Sequence, residues 1–222
     1  MGKALTKRFE LIVFDWDGTL LDSAAAIVHA IQAASADLGL PVPTDARARH
    51  VIGLGLSDAL HHAVPELPAE DYPQMVERYR HHYLSNDHEL TLFDGTVELI
   101  ADLHGRGHLL AVATGKSRNG LDRALGFSGL RRYFHATRCA DECFSKPHPA
   151  MLHELMEELG VAAGSCLMIG DTTHDLLMAK NAGVAGLAVS FGAHPVNQLQ
   201  AEAPLACVHT PAELRAWLEA NA

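Results

Sequence analysis

The sequence of 222 residues lacks any apolar run near the roughly 18 residues that a membrane-spanning helix needs. Residues 1–10 are mixed and basic, without the apolar stretch of a secretory signal, so we expect no export signal. Internal repeats and low-complexity segments are also absent from the sequence. These absences disfavour a membrane protein and a secreted protein.

Cysteine and basic residues are both scarce. Four cysteines without a Cys-x-x-Cys pair disfavour a zinc site and predict reduced thiols in a cytoplasmic protein: Cys139, Cys143, Cys166 and Cys207. The 17 Lys and Arg residues are outnumbered by 27 Asp and Glu residues, which gives a formal charge of −10. This charge disfavours nucleic acid as a partner, because phosphate backbones are bound by basic patches. A small phosphorylated metabolite at a local positive site remains compatible with it.

Short apolar runs alternate with amphipathic patterns along most of the chain. The runs are typical of buried strands, at residues 9–14, 108–114, 166–170, 184–190 and 206–209. Between them, 149–159 has helical periodicity that ends at Gly160, and a capping box at 210–213 opens the last helix. Alternating strands and helices predict an α/β fold with a doubly wound parallel sheet.

One region breaks this alternation. From about residue 22 to 92 the apolar spacing is helical, as in Ile27, Ile31, Ala34 and Leu38, and no convincing strand occurs. The sequence therefore predicts a catalytic core of residues 1–20 and 93–222, interrupted by an all-helical cap at 21–92.

Chemistry-bearing residues follow the predicted strands. In an open parallel sheet, ligands bind outside the carboxyl ends of the strands, so these segments should share one crevice. They contribute Asp15, Asp17, Gly18, Thr114, Gly115, Lys116, Asp171 and Asp175, and Lys146 comes from a fourth segment directly before the predicted helix 149–159. Four carboxylates in one crevice need a divalent cation and a lysine nearby, and hard oxygen ligands beside a phosphate favour Mg²⁺.

The aspartate pair in "FDWDGTLLDS" (14–23) suits phosphoryl transfer. One carboxylate can attack phosphorus, and the other, two residues away, can act as general acid and then as general base. Gly18 lets the backbone approach a substrate, and Thr114 with the amides after it can hold phosphoryl oxygens. Lys146 can neutralise both the nucleophile and the transferring group.

These motifs resemble a known family. Asp15-Trp16-Asp17-Gly18-Thr19, Thr114, Lys146-Pro147 and Gly170-Asp171-x3-Asp175 are similar, in order and spacing, to the four motifs of the haloacid dehalogenase-like hydrolases. The stretches "GDTTHDLLMAKNAG" and "TGKSRNGLDRAL" most resemble the phosphoglycolate phosphatase-like branch, which has a small helical cap. The resemblance implies a Rossmann-like core with a mobile cap.

The resemblance also implies a role for each aspartate. Asp15 would be the nucleophile and Asp17 the acid/base. Mg²⁺ would be held by the Asp15 carboxylate, the Asp17 main-chain carbonyl and Asp171, with Asp175 in the set or just outside it. The expected enzyme is a Mg²⁺-dependent phosphatase of small phosphate monoesters, acting through an aspartyl-phosphate, with phosphoglycolate as the leading candidate substrate.

Other functions stay open at this point. Asp17 disfavours a dehalogenase, whose leaving group needs no proton, but a phosphosugar mutase would keep it, and a pyrophosphatase is a further alternative. A non-enzymatic module is disfavoured because no catalytic group is missing. Both a monomer and a homodimer are compatible with the sequence.

The predicted cap offers candidates for substrate recognition. The stretch "VIGLGLSDAL" (51–60) is expected to face the active site, where Ser57 could form a hydrogen bond to the substrate. On the core side, Lys116 and Arg118 are candidates to bind a substrate carboxylate, and Gly115, between Thr114 and Lys116, is a further candidate for substrate binding. Six cap histidines are expected on exposed helix faces rather than in a metal cluster: His50, His61, His62, His81, His82 and His88.

Overall fold

The computed structural model describes residues 7–222 and contains one parallel sheet. Its strands are β1 (Leu11–Phe14), β2 (Leu109–Thr114), β3 (Ala136–Cys139), β4 (Cys166–Gly170), β5 (Ala185–Val189) and β6 (Cys207–Val208). Their order across the sheet is β3-β2-β1-β4-β5-β6, with every neighbouring pair parallel. This is the order of a Rossmann-like doubly wound sheet, so the predicted fold class is confirmed.

Strand β3 is the one strand that the sequence pattern misses. Its four residues are Ala-Thr-Arg-Cys, of which only the first and last are buried. It lies at the edge of the sheet and pairs only with β2, so half of its side chains remain polar. The other five strands fall within the predicted apolar runs.

Ten α-helices complete the described chain. They are α1 (Ala24–Asp37), α2 (Asp45–His50), α3 (Leu56–Ala63), α4 (Tyr72–Asn86), α5 (Thr96–Gly105), α6 (Arg118–Ser128), α7 (Ala150–Leu159), α8 (Thr173–Asn181), α9 (Val196–Ala201) and α10 (Pro211–Asn221). Short 3-10 turns occupy 87–89, 130–133 and 163–165. Within residues 7–222, no helix combines the length and the apolar composition that a membrane crossing requires.

The predicted end of α7 and the predicted start of α10 are found in the structure. Helix α7 ends at Gly160, whose φ of 67° is the left-handed conformation that glycine adopts readily. Thr210 caps α10 by accepting from the Glu213 amide at 3.1 Å. The predicted capping box is only half formed, because the Glu213 carboxylate accepts from the His209 amide at 2.7 Å and not from Thr210.

The two faces of the sheet are covered by different helices. Ile12 and Phe14 of β1 pack in an apolar cluster with residues of α5, α6 and α10. Leu11 and Val13, which point the other way, pack in a second cluster with residues of α7 and α8. Alternate residues of one fully buried strand thus serve both faces, which explains why the run is continuously apolar.

Helices α1–α4 all fall within residues 21–92, and no strand lies between them. They share an apolar cluster of their own, which Ala193 alone joins from the sheet side. The chain enters and leaves this segment side by side: Leu21 forms an antiparallel bridge with Leu92, and the Phe93 amide donates to the Leu20 carbonyl at 3.0 Å. A separate cap with these boundaries stays a prediction.

Candidate active site

The functional side chains lie where the strand order reverses. Asp15 follows β1 and Asp171 follows β4, and these two strands are neighbours although they are distant in sequence. Thr114 ends β2 on the other side of β1. Ligands of doubly wound sheets bind in the crevice at such a reversal point. The fold therefore brings together the motifs that the sequence separates.

Lys146 joins two of the aspartates. Its Nζ lies 2.7 Å from Asp15 Oδ1 and 2.7 Å from Asp175 Oδ1. The Lys146 side chain is 0% exposed, and both carboxylates are equally enclosed. Burial lowers the pKa of a lysine, but the charges of Asp15 and Asp175 outweigh this effect and hold the pKa of Lys146 above its ordinary value. The ammonium is therefore a permanent cation in the site.

Asp171 is fixed by donors from two loops. Its Oδ1 accepts from the Thr19 hydroxyl at 2.8 Å, and its Oδ2 accepts from the Ala193 amide at 2.7 Å. Two glycines pack against this carboxylate: a Cβ on Gly18, whose φ is 78°, would lie 2.2 Å from Oδ2, and one on Gly192 would lie 2.3 Å from it. Gly18 thus makes room for Asp171, whereas its predicted contact with substrate remains a prediction.

Asp175 both stabilises the start of α8 and pairs with Lys146. Its Oδ2 accepts from the Thr172 amide at 3.1 Å while its own amide donates to Thr172 Oγ1 at 3.3 Å, and these two bonds form a capping box at the start of α8. The Thr172 hydroxyl also donates to Oδ2, at 2.7 Å. Its Oδ1 faces Lys146. A Cβ on Gly170 would lie 2.3 Å from Asp175 atoms, so the glycine before Asp171 lets Asp175 fold back against β4.

The three buried carboxylates carry more negative charge than Lys146 balances. Burial, with Asp175 and Asp171 nearby, raises the pKa of Asp15 despite the opposing charge of Lys146. Burial and the neighbouring Asp175 raise the pKa of Asp171 to about 7. Both shifts show that ionisation of these carboxylates is unfavourable without a further positive charge. A bound cation would favour their ionised forms.

The geometry fits a divalent cation. Asp15, Asp171 and Asp175 each offer an oxygen within 4.8 Å of the others, and they form the one such cluster of His, Cys, Asp or Glu side chains within residues 7–222. Asp15 Oδ2 is buried without a hydrogen-bond partner. The Asp17 side chain is not part of the cluster, so only its main-chain carbonyl stays a candidate ligand.

Asp17 lies apart from that cluster and has its own partners. Its Oδ1 is 2.9 Å from Lys116 Nζ and accepts from the Ser23 hydroxyl at 2.7 Å. Thr114, which is fully buried, accepts from the Lys116 amide at 3.2 Å through its side-chain oxygen. The two predicted catalytic carboxylates are thus supported by two different lysines.

The loop between α2 and α3 contacts the site loops directly. A Cβ on Gly115 would lie 2.4 Å from the Leu54 carbonyl oxygen and 2.6 Å from that of Gly53. The Gly55 amide donates to Ser145 Oγ at 2.8 Å, next to Lys146. This loop therefore closes over the strand ends, and glycine is needed at position 115 for the backbones to approach so closely.

Comparison with known families decides the class of the chain. A family model described as haloacid dehalogenase-like hydrolase matches residues 12–189. The chain belongs to the haloacid dehalogenase-like hydrolases. The resemblance found in the four motifs is thereby confirmed.

Curated relatives of this hydrolase cover nearly its full length. "Probable phosphatase IndB" of Dickeya dadantii is 40% identical over 211 residues, covering 92% of this chain and 91% of the relative. A "5'-nucleotidase" of Pseudomonas aeruginosa is 34% identical over 216 residues, with coverage of 96% and 97%. A "Phosphoglycolate phosphatase" of Vibrio vulnificus is 31% identical over 207 residues, with coverage of 89% and 91%. The predicted enzyme class, a phosphoric monoester hydrolase, agrees with these names.

A solved structure supports the same fold. The crystal structure of a predicted phosphoglycolate phosphatase from Haemophilus somnus superposes with a TM-score of 0.84 at 24% identity, covering 94% of this chain and 97% of the other. At this identity the likeness shows the fold of the hydrolase alone.

Several predicted recognition residues do not reach the carboxylates of this hydrolase. Ser57 is exposed on α3, where its carbonyl accepts from the His61 ring, so its role toward substrate stays a prediction without a supporting contact. Arg118 points away and pairs with Glu142 at 2.7 Å. Of the predicted cations for a substrate carboxylate, only Lys116 contacts an aspartate of the site.

His50 of this hydrolase is exposed, yet its ring contacts two histidines from outside the helical segment. His50 stacks on His194 with 5.0 Å between ring centres and lies 5.4 Å from the ring of His174. Both neighbours direct Nε2 at the His50 carbonyl, at 2.7 Å for His174 and 3.1 Å for His194. Burial lowers the pKa of His194 to about 4, so its ring is neutral and joins the end of α2 to the segment after β5 by hydrogen bonding.

Sequence reasoning missed several supports of the site. Gly192 and Ala193, which hold Asp171, follow β5 and carry no charge or motif. Ser23 and Tyr83, which hydrogen-bond to Asp17 and Lys116, lie in or next to the helical region, where residue type alone indicates no role. The only available signal was that Ser23 ends the motif "FDWDGTLLDS".

Proposed function

We propose that this protein is a Mg²⁺-dependent phosphatase that hydrolyses small phosphate monoesters, with phosphoglycolate as the leading candidate. The observation that carries the proposal is Asp15: one of its oxygens faces Lys146 at 2.7 Å, while the other is buried without a partner. A carboxylate oriented through one oxygen and free at the other is suited to nucleophilic attack. The phosphatase names of the relatives point to the same reaction.

In the proposed first step, Asp15 Oδ2 attacks phosphorus and the ester oxygen leaves with a proton. Asp17 supplies that proton, being two residues away and separately held by Lys116 and Ser23. The result is an aspartyl-phosphate and a free alcohol. Lys146 orients the Asp15 carboxylate before attack and offsets the negative charge shared by this carboxylate and the incoming phosphoryl group.

In the second step, Asp17 takes a proton from water, and the resulting hydroxide attacks phosphorus and restores the Asp15 carboxylate. The Thr114 hydroxyl and the amides that open α6 are proposed to hold phosphoryl oxygens throughout. Contact of the 53–55 loop with Gly115 and Ser145 excludes bulk water from the crevice during transfer. Product release then requires this loop to open.

Mg²⁺ would be held by Asp15, Asp171 and the Asp17 main-chain carbonyl, with Asp175 beside them, and when bound it supplies positive charge toward the phosphoryl oxygens. The same residues explain why Lys146 alone does not suffice: three buried carboxylates face one ammonium. The cytoplasmic location, inferred from reduced thiols, and the choice between monomer and homodimer stay predictions.

The test is a phosphate-release assay with purified protein on a panel of phosphorylated metabolites, in Mg²⁺ and in EDTA. We expect Mg²⁺-dependent release of phosphate from small monoesters by the wild type. Asp15→Asn should fold, as judged by circular dichroism, and lose at least about a thousandfold in kcat. Turnover at the normal rate by Asp15→Asn would refute the assignment. Formation of an isomeric sugar phosphate with little free phosphate would instead identify a mutase, and preferential cleavage of pyrophosphate a pyrophosphatase.

A further inference from the structure

Lys116 links the core to the helical segment above it. Its Nζ lies 2.9 Å from Asp17 Oδ1 and donates to the Tyr83 phenolic oxygen at 3.0 Å. The ammonium is also 4.9 Å from the centre of the Tyr83 ring, within reach of a cation–π contact. Tyr83 is on α4, so one cation connects the predicted acid/base to the segment proposed to act as a cap.

Tyr83 holds this position because of the packing behind it. Tyr79, one turn earlier on α4, stacks nearly parallel to it with 5.9 Å between ring centres. Both rings pack against the apolar cluster of α1–α4. Burial raises the pKa of both phenols, so they remain neutral. A neutral phenol can orient an ammonium without neutralising its charge.

The charge of Lys116 is thus still available to a ligand. Its Nζ has one carboxylate partner, Asp17 Oδ1 at 2.9 Å, and one neutral partner, the Tyr83 oxygen at 3.0 Å. Among the ion pairs within residues 7–222, only Lys116 and Lys146 contact the site aspartates, and Lys146 is enclosed between Asp15 and Asp175. Lys116 is therefore the cation on the side of Asp17, where the alcohol part of an ester departs.

We propose that Lys116, oriented by Tyr83, forms the subsite for the leaving group and selects phosphate monoesters whose alcohol carries its own anion. Such an anion is a carboxylate or a second phosphate, which pairs with a localised ammonium more favourably than a hydroxyl does. Tyr83 is then a specificity-determining residue: it keeps Lys116 above Asp17 when the 53–55 loop is closed. The inference rests on the proposed phosphatase function and names the substrate class of the same site.

The test compares two esters of nearly equal size, phosphoglycolate and 2-hydroxyethyl phosphate, which differ in whether the alcohol carries a carboxylate or a hydroxyl. Wild type should prefer phosphoglycolate by about ten- to a hundredfold in kcat/KM, the range expected for a hydrogen bond to a charged group. Equal rates, a preference for the neutral ester, or faster hydrolysis of nucleoside 5′-monophosphates than of phosphoglycolate would overturn the anion subsite. This comparison needs no variant.

Tyr83→Phe tests the orienting role, since it keeps the ring and removes only the oxygen that accepts from Lys116. It should reduce the preference about three- to tenfold, through KM for phosphoglycolate rather than kcat, because Tyr83 does not touch the reacting atoms. Tyr72→Phe is the matched control on the same helix, where the Tyr72 ring stacks on His61 instead. A preference that is equal in both variants would refute the role of Tyr83.

These outcomes are separable from failure of the proposed function. If neither ester nor any metabolite of the panel releases phosphate in Mg²⁺, the phosphatase assignment fails. If both esters are hydrolysed without discrimination, the assignment stands and only the leaving-group subsite is refuted.

Discussion

Replacing Lys146 by methionine should destabilise the metal-free protein more than any other single loss of charge in the site. The substitution keeps an unbranched side chain of similar length and removes only the ammonium. That ammonium is fully enclosed and lies 2.7 Å from one oxygen each of Asp15 and Asp175. With it gone, these carboxylates and Asp171 share a buried crevice without any cation from the protein.

Breaking a buried ion pair by removing one partner costs about 3–5 kcal/mol, because it leaves an uncompensated buried charge. The free energy of unfolding of a domain is only about 5–15 kcal/mol, so a loss of this size should be clear in a urea titration. Two carboxylates lose their partner here, which favours the upper part of the range. A carboxylate that takes up a proton reduces this loss of free energy of unfolding. The pKa of Asp171 is already raised to about 7 from its ordinary 3.8, so this protonation begins as the pH falls toward 7.

The sign of the pH effect follows from these shifts. Between pH 3.8 and about 7, the folded metal-free protein binds more protons at Asp171 than the unfolded chain does, so its stability falls as pH rises through that window. Lys146→Met removes the one opposing charge and should steepen this fall. The variant should therefore lose more free energy of unfolding near pH 8 than near pH 5.5.

The assay is urea denaturation followed by circular dichroism, in EDTA, at both pH values. Lys180→Met is the matched control, because Lys180 is exposed at the end of α8, and its loss should stay within about 0.5 kcal/mol. Saturating Mg²⁺ at about 100 times its Kd should return about 2.7 kcal/mol to any folded variant that binds it. A Lys146→Met loss below about 1 kcal/mol near pH 8 in EDTA would refute the buried-charge reasoning.

Three further predictions test separate parts of the structure. Asp17→Asn should slow hydrolysis of alkyl phosphates at least about tenfold more than that of aryl phosphates, which leave without a proton; equal losses in kcat would contradict its acid role. Burial lowers the pKa of His108 below 6.5, so the unfolded chain takes up the extra proton and the free energy of unfolding falls as pH drops through about 6.5. His108→Asn keeps a donor for the carbonyl that the ring now bonds, and paired urea titrations near pH 7 and pH 5 should show a smaller fall than in wild type; an equal fall would contradict the assignment. Gly115→Ala should lower kcat/KM at least about tenfold by holding the 53–54 backbone away, while Gly126→Ala, whose added methyl meets nothing within 4 Å, should not; equal kinetics would show that this closure is not needed.

Local sequence patterns predict much of the fold. Strands β1, β2, β4 and β5 are recognisable because they are buried on both faces and therefore continuously apolar. Asp15, Thr114 and Asp171 are recognisable because each ends or directly follows such a strand, and parallel strands end at one edge of the sheet. Lys146 precedes α7 instead, and its interpretation depends on the Lys146-Pro147 motif. Asp15, Lys146, Asp171 and Asp175 do meet there.

What the sequence does not show is set by long-range packing. Strand β3 is polar at the middle because it is an edge strand, a fact that depends on the order of the whole sheet. The Ala193 amide donates to Asp171, which is 22 residues away in sequence. Every residue except proline has such a backbone donor, so residue type cannot predict this bond. The Lys116–Tyr83 contact depends on how α4 lies over the core, which helical periodicity cannot specify.

The most direct measurement is chemical trapping of the phosphorylated residue. Protein turning over a phosphate monoester in Mg²⁺ is quenched in acid and reduced with borohydride, which converts an aspartyl-phosphate into homoserine that peptide mass spectrometry can locate. Homoserine is expected at position 15, in greater amount in Asp17→Asn, whose second step lacks its base, and not at all in Asp15→Asn. Phosphate release with the modification at another residue, or with none in either wild type or Asp17→Asn, would contradict Asp15 as the nucleophile.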